Sequence, residues 1–153
     1  PWPQAARGRR GTGEVAVTAF AVPRDSIPFW QERLARLGVK AAAPITRFAG
    51  TPHEEQVLPF EDHDGSNLEL VAAQRAAAAA PEGSADPASD VPRRHAITGF
   101  FGVTLLVNRL EGTARVLESV FGMQRAADAA DPDARPRTRF VARRADGSPT
   151  AAG

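Results

Sequence analysis

The first clear pattern in the chain is an apolar run at residues 14–22, which reads EVAVTAFAV and is ended by Pro23. Apolar and β-branched residues in a run of this length are typical of a buried strand. Residues 1–13 contain three arginines together with glycines and prolines that interrupt regular structure. We therefore predict a leading loop over residues 1–13 and a strand directly after it.

A helical pattern follows and runs from Ser26 to about Leu37. Its apolar stripe consists of four residues at helical spacing, namely Ile27, Trp30, Leu34 and Leu37. Pro28 falls in the first turn, where its missing N–H is harmless, and Gly38 is placed to end the helix. Ser26 is predicted to cap the helix, and no base or acid is placed by the sequence to make it a nucleophile.

Three further strands are predicted after the helix. The first is a weak strand over Val39 to Phe48, and the better ones span Gln56 to Phe60 and Asn67 to Ala72. The segment Glu61-Asp62-His63-Asp64-Gly65 lies between the last two, and its Asp-Gly pair indicates a tight turn. The order of elements is βαβββ, which predicts one complete module over residues 14–74.

The same pattern begins again after an Ala/Pro-rich, low-complexity segment that we interpret as a linker over residues 75–94. A second strand is predicted at Ile97 to Val107, a second helix at Leu110 to Phe121, and a weak strand at Arg137 to Ala142. The two copies align at offsets of 84 to 86 residues. The predicted fold is therefore α+β, with tandem βαβββ modules of which the second copy, over residues 95–153, is incomplete.

Composition narrows the functional classes. The 19 cationic residues nearly balance 18 anionic ones, so no nucleic-acid partner is expected. The chain has no cysteine, which excludes disulfides, thiolate metal sites and a cysteine nucleophile. No apolar run approaches the length of a membrane span, so a cytoplasmic location is the expectation. Because the chain opens on Pro1 without an initiator methionine, we expect it to be an internal segment of a longer protein.

The three histidines, His53, His63 and His95, are the obvious candidates for metal chemistry. His53 and His63 fall in turn-like segments, and a solvated side chain is the simpler interpretation for both. His53-Glu54-Glu55 does not complete a zinc-protease motif, because Val57 stands where the second histidine is required. The glycines and arginines of residues 7–13 precede a strand rather than a helix, so they do not form a phosphate loop. A cluster of arginines near the C-terminus is interpreted as solvated charge and comprises Arg135, Arg137, Arg139, Arg143 and Arg144.

Four stretches together resemble the ring-cleaving, hydroquinone-type dioxygenases of the vicinal-oxygen-chelate (glyoxalase-fold) superfamily. They are PWPQAARGRRGTG, SIPFWQERLARLGV, FEDHDGSNLELVA and HAITGFFGVTLLV. Where the family usually has Asp-Pro-Asp-Gly at the turn, this chain has His63 in place of the proline. The resemblance implies a parent protein of four βαβββ modules, of which this chain holds the second and the opening of the third.

The same resemblance implies that the parent binds Fe(II) through two histidines and one glutamate, and that it cleaves an aromatic diol with dioxygen. Those ligands are expected in the first and fourth modules, outside this chain. The superfamily's strand-one histidine positions are occupied here by Val17 and Gly102, which bind no metal. Glu69, in Asn67-Leu68-Glu69-Leu70, matches the carboxylate position, and we interpret it as a vestigial, hydrogen-bonded residue.

The sequence therefore predicts a scaffold fragment of an iron-dependent dioxygenase that binds no iron itself and contacts the flanking modules of its own chain. Two alternatives remain: a metal-free protein of the same fold that binds a small ligand, and a glyoxalase-type lyase or isomerase. The incomplete copy leaves sheet edges unpaired and an apolar face uncovered. We expect the isolated chain to be marginally stable and to form homo-oligomers or aggregates.

Overall fold

The structure is a computed structural model that describes residue 8 and residues 11–73, 89–130 and 135–142. Within these ranges the mixed fold of strands and helices confirms the predicted α+β class. The predicted linker and leading loop lie mostly outside the described residues. No helix in the described ranges is long and apolar enough to cross a membrane.

The first repeat contains the predicted order of strand, helix and three strands. They are β1 (Glu14–Ala21), α1 (Ile27–Arg36), β2 (Ile45–Arg47), β3 (Glu55–Glu61) and β4 (Asn67–Ala73). β3 pairs antiparallel with β2 and with β4, and β4 returns to pair parallel with β1. The strand predicted over residues 39–48 is shorter than expected. Pro44 has no N–H to continue the ladder, so only an isolated bridge between Ala41 and Phe60 precedes β2.

Helix α1 packs its apolar stripe against the sheet. Trp30 and Leu34 are buried against Leu58 of β3 and Leu70 of β4. Leu37, which the sequence placed in this stripe, is 61% exposed, so that part of the prediction is wrong.

The reason for the exposure of Leu37 is the way in which α1 ends. Gly38 adopts a left-handed φ of 72° and reverses the chain. The N–H of Gly38 donates to the carbonyl of Ala35, and the N–H of Val39 donates to that of Leu34. Val39, rather than Leu37, is thereby placed against the core.

The second repeat begins with β5 (Gly99–Leu106) and α2 (Leu110–Ser119), and continues with β6 (Gln124–Ala130) and β7 (Pro136–Val141). β6 was not predicted, because its sequence QRAADAA has neither apolar alternation nor β-branched residues. β6 and β7 form a separate two-stranded antiparallel sheet. The other five strands form one sheet in the order β2-β3-β4-β1-β5.

The two repeats meet where β1 pairs antiparallel with β5. Thr18 lies opposite Val103, and the ladder has one irregularity on either side of this pair. One leaves Ala16 as an extra residue in β1, and the other leaves Phe101 as an extra residue in β5. These positions are equivalent in the two repeats, so the strands are related by a local two-fold axis at the Thr18–Val103 pair. The tandem repeat seen in the sequence is therefore present in the backbone.

Candidate functional site

The face of the sheet opposite α1 is the one on which the family resemblance would place a site, and we call it the site face. Its apolar part is a small cluster of Ala19, Val57 and Val71, against which Phe101 packs from β5. Four charged side chains surround this cluster: Arg47 of β2, Glu55 of β3, Glu69 of β4 and Arg139 of β7. The sequence reasoning singled out only Glu69 among them as a site residue.

Glu69 is bound by an arginine. Arg47 donates from Nη1 to Oε2 of Glu69 and from Nη2 to Oε1, with both distances 2.7 Å. Both residues are buried, since their side chains are only 8% and 6% exposed. Such a two-point guanidinium–carboxylate pair occupies both carboxylate oxygens in one plane. The guanidinium therefore uses one lone pair of each oxygen, and its positive charge opposes the binding of a metal cation to Glu69.

Glu55 forms a second buried ion pair on the site face. Nη2 of Arg139 lies 2.5 Å from Oε2 of Glu55, which is 2% exposed. The Arg139 guanidinium also lies over the rings of Phe48 and Phe101, 5.2 Å and 4.9 Å from their centroids. The pair joins β7 of the second repeat to β3 of the first.

Burial dominates the electrostatics of this pair. Removal of Glu55 from water raises the pKa of its carboxyl, although Arg139 and Arg47 lower it and Glu69 raises it further. The pKa of Arg139 is lowered, again mainly by burial, against the opposing influence of Glu55. The expectation that Arg139 is solvated charge is therefore wrong, because its side chain is only 19% exposed. Arg143 and Arg144 of the same predicted cluster lie outside the described residues.

The two strand-one positions of the superfamily lie on the site face at the β1–β5 junction. Val17 lies opposite Thr104, and Gly102 lies opposite Ala19. Ala19 is in turn opposite Glu69 on β4, so Glu69 and Gly102 flank the same residue. Neither Val17 nor Gly102 offers a ligand atom, so Glu69 is the one potential metal ligand among these three positions. The residues present here do not fit an iron ion.

The histidines do not supply the missing ligands. His63 is 91% exposed beside Asp64, and His53 lies in a turn where its N–H donates to Oγ1 of Thr51. In the described part of the chain, no group of three or more His, Asp or Glu side chains could hold a metal ion.

His95 instead makes a contact that the sequence did not reveal. Nδ1 of His95 lies 3.1 Å from Oγ of Ser26, which is fully buried. Nε of Arg94 donates to Nε2 of the same ring, so Nε2 is the acceptor and Nδ1 carries the proton. Ser26 then accepts from His95 and donates to the carbonyl of Arg94. A histidine in this tautomer cannot activate the serine as a general base.

The predicted helix-capping role of Ser26 is wrong as well, because its side chain makes no capping hydrogen bond to α1. It faces the segment that leads into the second repeat. Two further contacts fix that segment: Trp30 donates from Nε1 to the carbonyl of His95 at 2.8 Å, and the ring of Phe29 stacks on the imidazole. Ser26 and His95 therefore join the two repeats and form no catalytic pair.

A shallow, open cleft of about 440 Å³ lies beside the site face. Its lining includes Lys40, Phe60, Glu61, Asn67 and Glu69. It has one apolar wall and several polar groups, as a small-molecule site requires.

The sequence contains one indication that charged side chains are buried in this site. Arg47 and Glu55 occupy inward positions in short strands in which Ile45 and Val57, two residues away, are apolar. A charged residue at the inward position of a strand needs a partner of opposite charge. The signal did not indicate which partner, because Arg139 is 84 residues from Glu55.

Comparison with known proteins places these features in context. No model of a protein family matches the chain. It is 35% identical over 133 residues to MhqO of Bacillus subtilis (strain 168), which is named as a ring-cleaving dioxygenase. The alignment covers 86% of this chain and 38% of MhqO. It is 27% identical over 107 residues to the chlorohydroquinone/hydroquinone 1,2-dioxygenase of Sphingobium indicum. That alignment covers 68% of this chain and 30% of the other protein.

The crystal structure of a dioxygenase from Bacillus subtilis superposes on this chain with a TM-score of 0.71 at 33% identity. The match covers 93% of this chain and 41% of the other. The chain thus spans about two fifths of the length of MhqO and of this dioxygenase structure.

Proposed function

Because the chain belongs to the glyoxalase-fold family of ring-cleaving dioxygenases, we propose that it supplies one complete structural βαβββ repeat and the opening of a second to such an enzyme, and holds no catalytic iron itself. The substrate class proposed for the whole protein is an aromatic diol of the hydroquinone type, with dioxygen as the second substrate. Iron, when bound elsewhere in such a protein, would bring the diol and dioxygen together. The residues of this chain would support that site rather than form it.

The observation that carries this proposal is the pairing of Glu69 with Arg47. A carboxylate at the superfamily's ligand position is useful for metal binding only if its oxygens are available. Here both accept hydrogen bonds from one buried guanidinium. Val17 and Gly102 at the neighbouring positions offer no metal-ligand atom either. Three changes, at Arg47, Val17 and Gly102, would therefore be needed before three metal ligands could meet.

The test is anaerobic loading of the purified chain with Fe(II), followed by desalting and iron analysis. We expect no stoichiometric iron in the wild type, in Glu69→Gln or in Arg47→Ala, because even a released Glu69 is a single ligand. Stoichiometric iron in the wild type that is lost in Glu69→Gln would contradict the proposal. His63→Ala is the matched control, since the side chain of His63 is exposed and contacts Asp64 rather than Arg47 or Glu69.

The open cleft favours a second candidate function, the metal-free binding of a small ligand. Its volume of about 440 Å³ falls within the usual range for small-molecule sites. Lys40 and Asn67 would donate hydrogen bonds to an oxygen-rich ligand, while Phe60 would contact its ring. An NMR titration with hydroquinone tests this. Saturable shifts at Lys40 and Asn67 would support binding, and their absence at millimolar ligand would exclude this candidate.

A further inference from the structure

The guanidinium of Arg139 on β7 lies against three side chains from the other part of the molecule. Its Nη2 lies 2.5 Å from Oε2 of Glu55 on β3. Its central carbon lies over two rings, 5.2 Å from the centroid of Phe48, which directly follows β2, and 4.9 Å from that of Phe101 on β5. Aromatic faces and a carboxylate are the groups with which proteins bind organic cations. We call Phe48, Glu55 and Phe101 the guanidinium cage.

Two of the three cage residues are held in place by the five-stranded sheet itself. The backbone of Glu55 pairs with β2 on one side and with β4 on the other. Phe101 packs against the small apolar cluster formed by β1, β3 and β4. These contacts involve no residue of β7, so the two side chains keep their positions whether or not an arginine lies between them.

Phe48, the third cage residue, is held by its loop. Its φ of 50° is left-handed, a conformation that a bulky aromatic residue rarely adopts and that persists only where the surroundings impose it. The carbonyl of Phe48 accepts from the N–H of Thr51 at 3.1 Å and from its Oγ1 at 2.7 Å. The side chain is buried, with 4% of its surface exposed. The loop thus fixes this ring without help from β7.

The arginine in the cage comes from a different sheet. Among the described residues, β6 and β7 pair with each other and with no strand of the five-stranded sheet. Side chains of β7 bridge the two sheets instead: Arg137 donates to Oγ1 of Thr104 at 2.8 Å, and Arg139 enters the cage. The five-stranded sheet therefore acts as the receptor and Arg139 as its ligand.

The charge of the cage requires a cation. Glu55 is 2% exposed, and a buried carboxylate without a partner of opposite charge is unfavourable. The nearby guanidinium of Arg47 already donates to both carboxylate oxygens of Glu69. We propose that the guanidinium cage is a recognition site for one guanidinium group, which binds Arg139 of the second repeat and accepts a free guanidinium ion when that side chain is removed. This inference does not depend on the dioxygenase function.

The experiment uses the whole chain with Arg139→Ala and methylguanidinium chloride as the probe, with sodium chloride at equal ionic strength as the reference. We expect the probe to raise the Tm of this variant by about 2–4 °C at about five times its Kd. The ring resonances of Phe48 and Phe101 should shift along the same binding curve. The wild type, whose cage is filled, should show neither response.

Two further variants are the controls. Arg139→Ala/Glu55→Gln keeps the two rings but removes the carboxylate, so the probe should no longer stabilise it. Arg137→Ala removes a different arginine of β7 and leaves the cage filled, so it should respond no more than the wild type. If Arg139→Ala is unfolded without the probe, the same titration should restore its circular dichroism spectrum.

Three results would overturn the proposal. The first is the absence of any saturable effect of methylguanidinium on Arg139→Ala, whether that variant is folded or unfolded at the start. The second is an equal effect on Arg139→Ala/Glu55→Gln, because the carboxylate would then play no part. The third is an equal effect on the wild type or on Arg137→Ala, because the ion would then bind elsewhere.

Discussion

The buried pair of Arg47 and Glu69 joins β2 to β4 through two hydrogen bonds. Removal of one partner leaves the other charge buried without compensation, which typically costs about 3–5 kcal/mol. We therefore expect Glu69→Gln and Arg47→Met each to lower the free energy of unfolding by about this amount. The double variant Arg47→Met/Glu69→Leu should recover most of the loss, since no charge stays buried.

Urea unfolding of the two single variants and the double variant checks this expectation. His63→Ala serves as the surface control, because this side chain is 91% exposed. Single variants that are no less stable than the control, or a double variant whose loss equals the sum of the single losses, would contradict the interpretation of the pair.

Glu55 is the residue whose titration should affect stability. Its folded-state pKa is raised above the ordinary value of 4.5, mainly by burial. The stability that the neutral carboxyl contributes is therefore fully present below about pH 4.5 and is lost as the pH rises through the folded pKa. We expect the wild type to lose stability relative to Glu55→Gln over this window. Chemical denaturation at successive pH values measures the difference, and a difference that does not change with pH would refute the assignment.

At the scale of elements, the contacts of α1 with the segment at His95 connect the two repeats. Ser26→Ala should leave the Nδ1–H of His95 without its acceptor, and a lost buried hydrogen bond of this kind costs about 1–3 kcal/mol. The ¹⁵N NMR spectrum of the wild type should show the His95 tautomer protonated at Nδ1. A ring protonated at Nε2 in its neutral form would mean that the assignment is wrong and that Ser26 donates to it.

The elements also show where sequence reasoning succeeds. The periodic apolar residues of α1 and the β-branched run of β1 were sufficient to predict both, because local pattern and tertiary burial agree there. β6 has an alanine-rich sequence with no strand pattern and forms only through pairing with β7. The partners of Arg47 and Ser26 depend on contacts between segments that are distant in the chain, such as the 69 residues between Ser26 and His95. Sequence alone could place Glu69 on a strand but could not show that an arginine holds it.

At the scale of the whole molecule, apolar exposure is concentrated in the second repeat. Phe100 is 57% exposed, Val103 49% and Leu105 41%, and all three lie on β5. A contiguous apolar surface of this kind promotes association. We expect the isolated chain to self-associate with rising concentration, and Phe100→Ser/Leu105→Thr to reduce the association.

Sedimentation velocity over a range of concentrations measures this. Leu37→Ser is the matched control, because Leu37 is 61% exposed but belongs to the first repeat. If Leu37→Ser reduced self-association as much as the β5 variant does, the second repeat would not be the surface through which the chain self-associates.

The guanidinium of Arg47 has a consequence for how such a domain can change over evolution. A histidine at position 102 has room, since a Cβ there would meet no heavy atom within 4 Å. A single histidine at this position would not create a metal site, however, while Arg47 still binds the carboxylate of Glu69. If Arg47 were lost first, the carboxylate of Glu69 would be a buried negative charge without its arginine. Each single substitution would therefore be neutral or destabilising. A metal site at these positions would therefore require the loss of Arg47 together with metal-binding side chains in place of Val17 and Gly102.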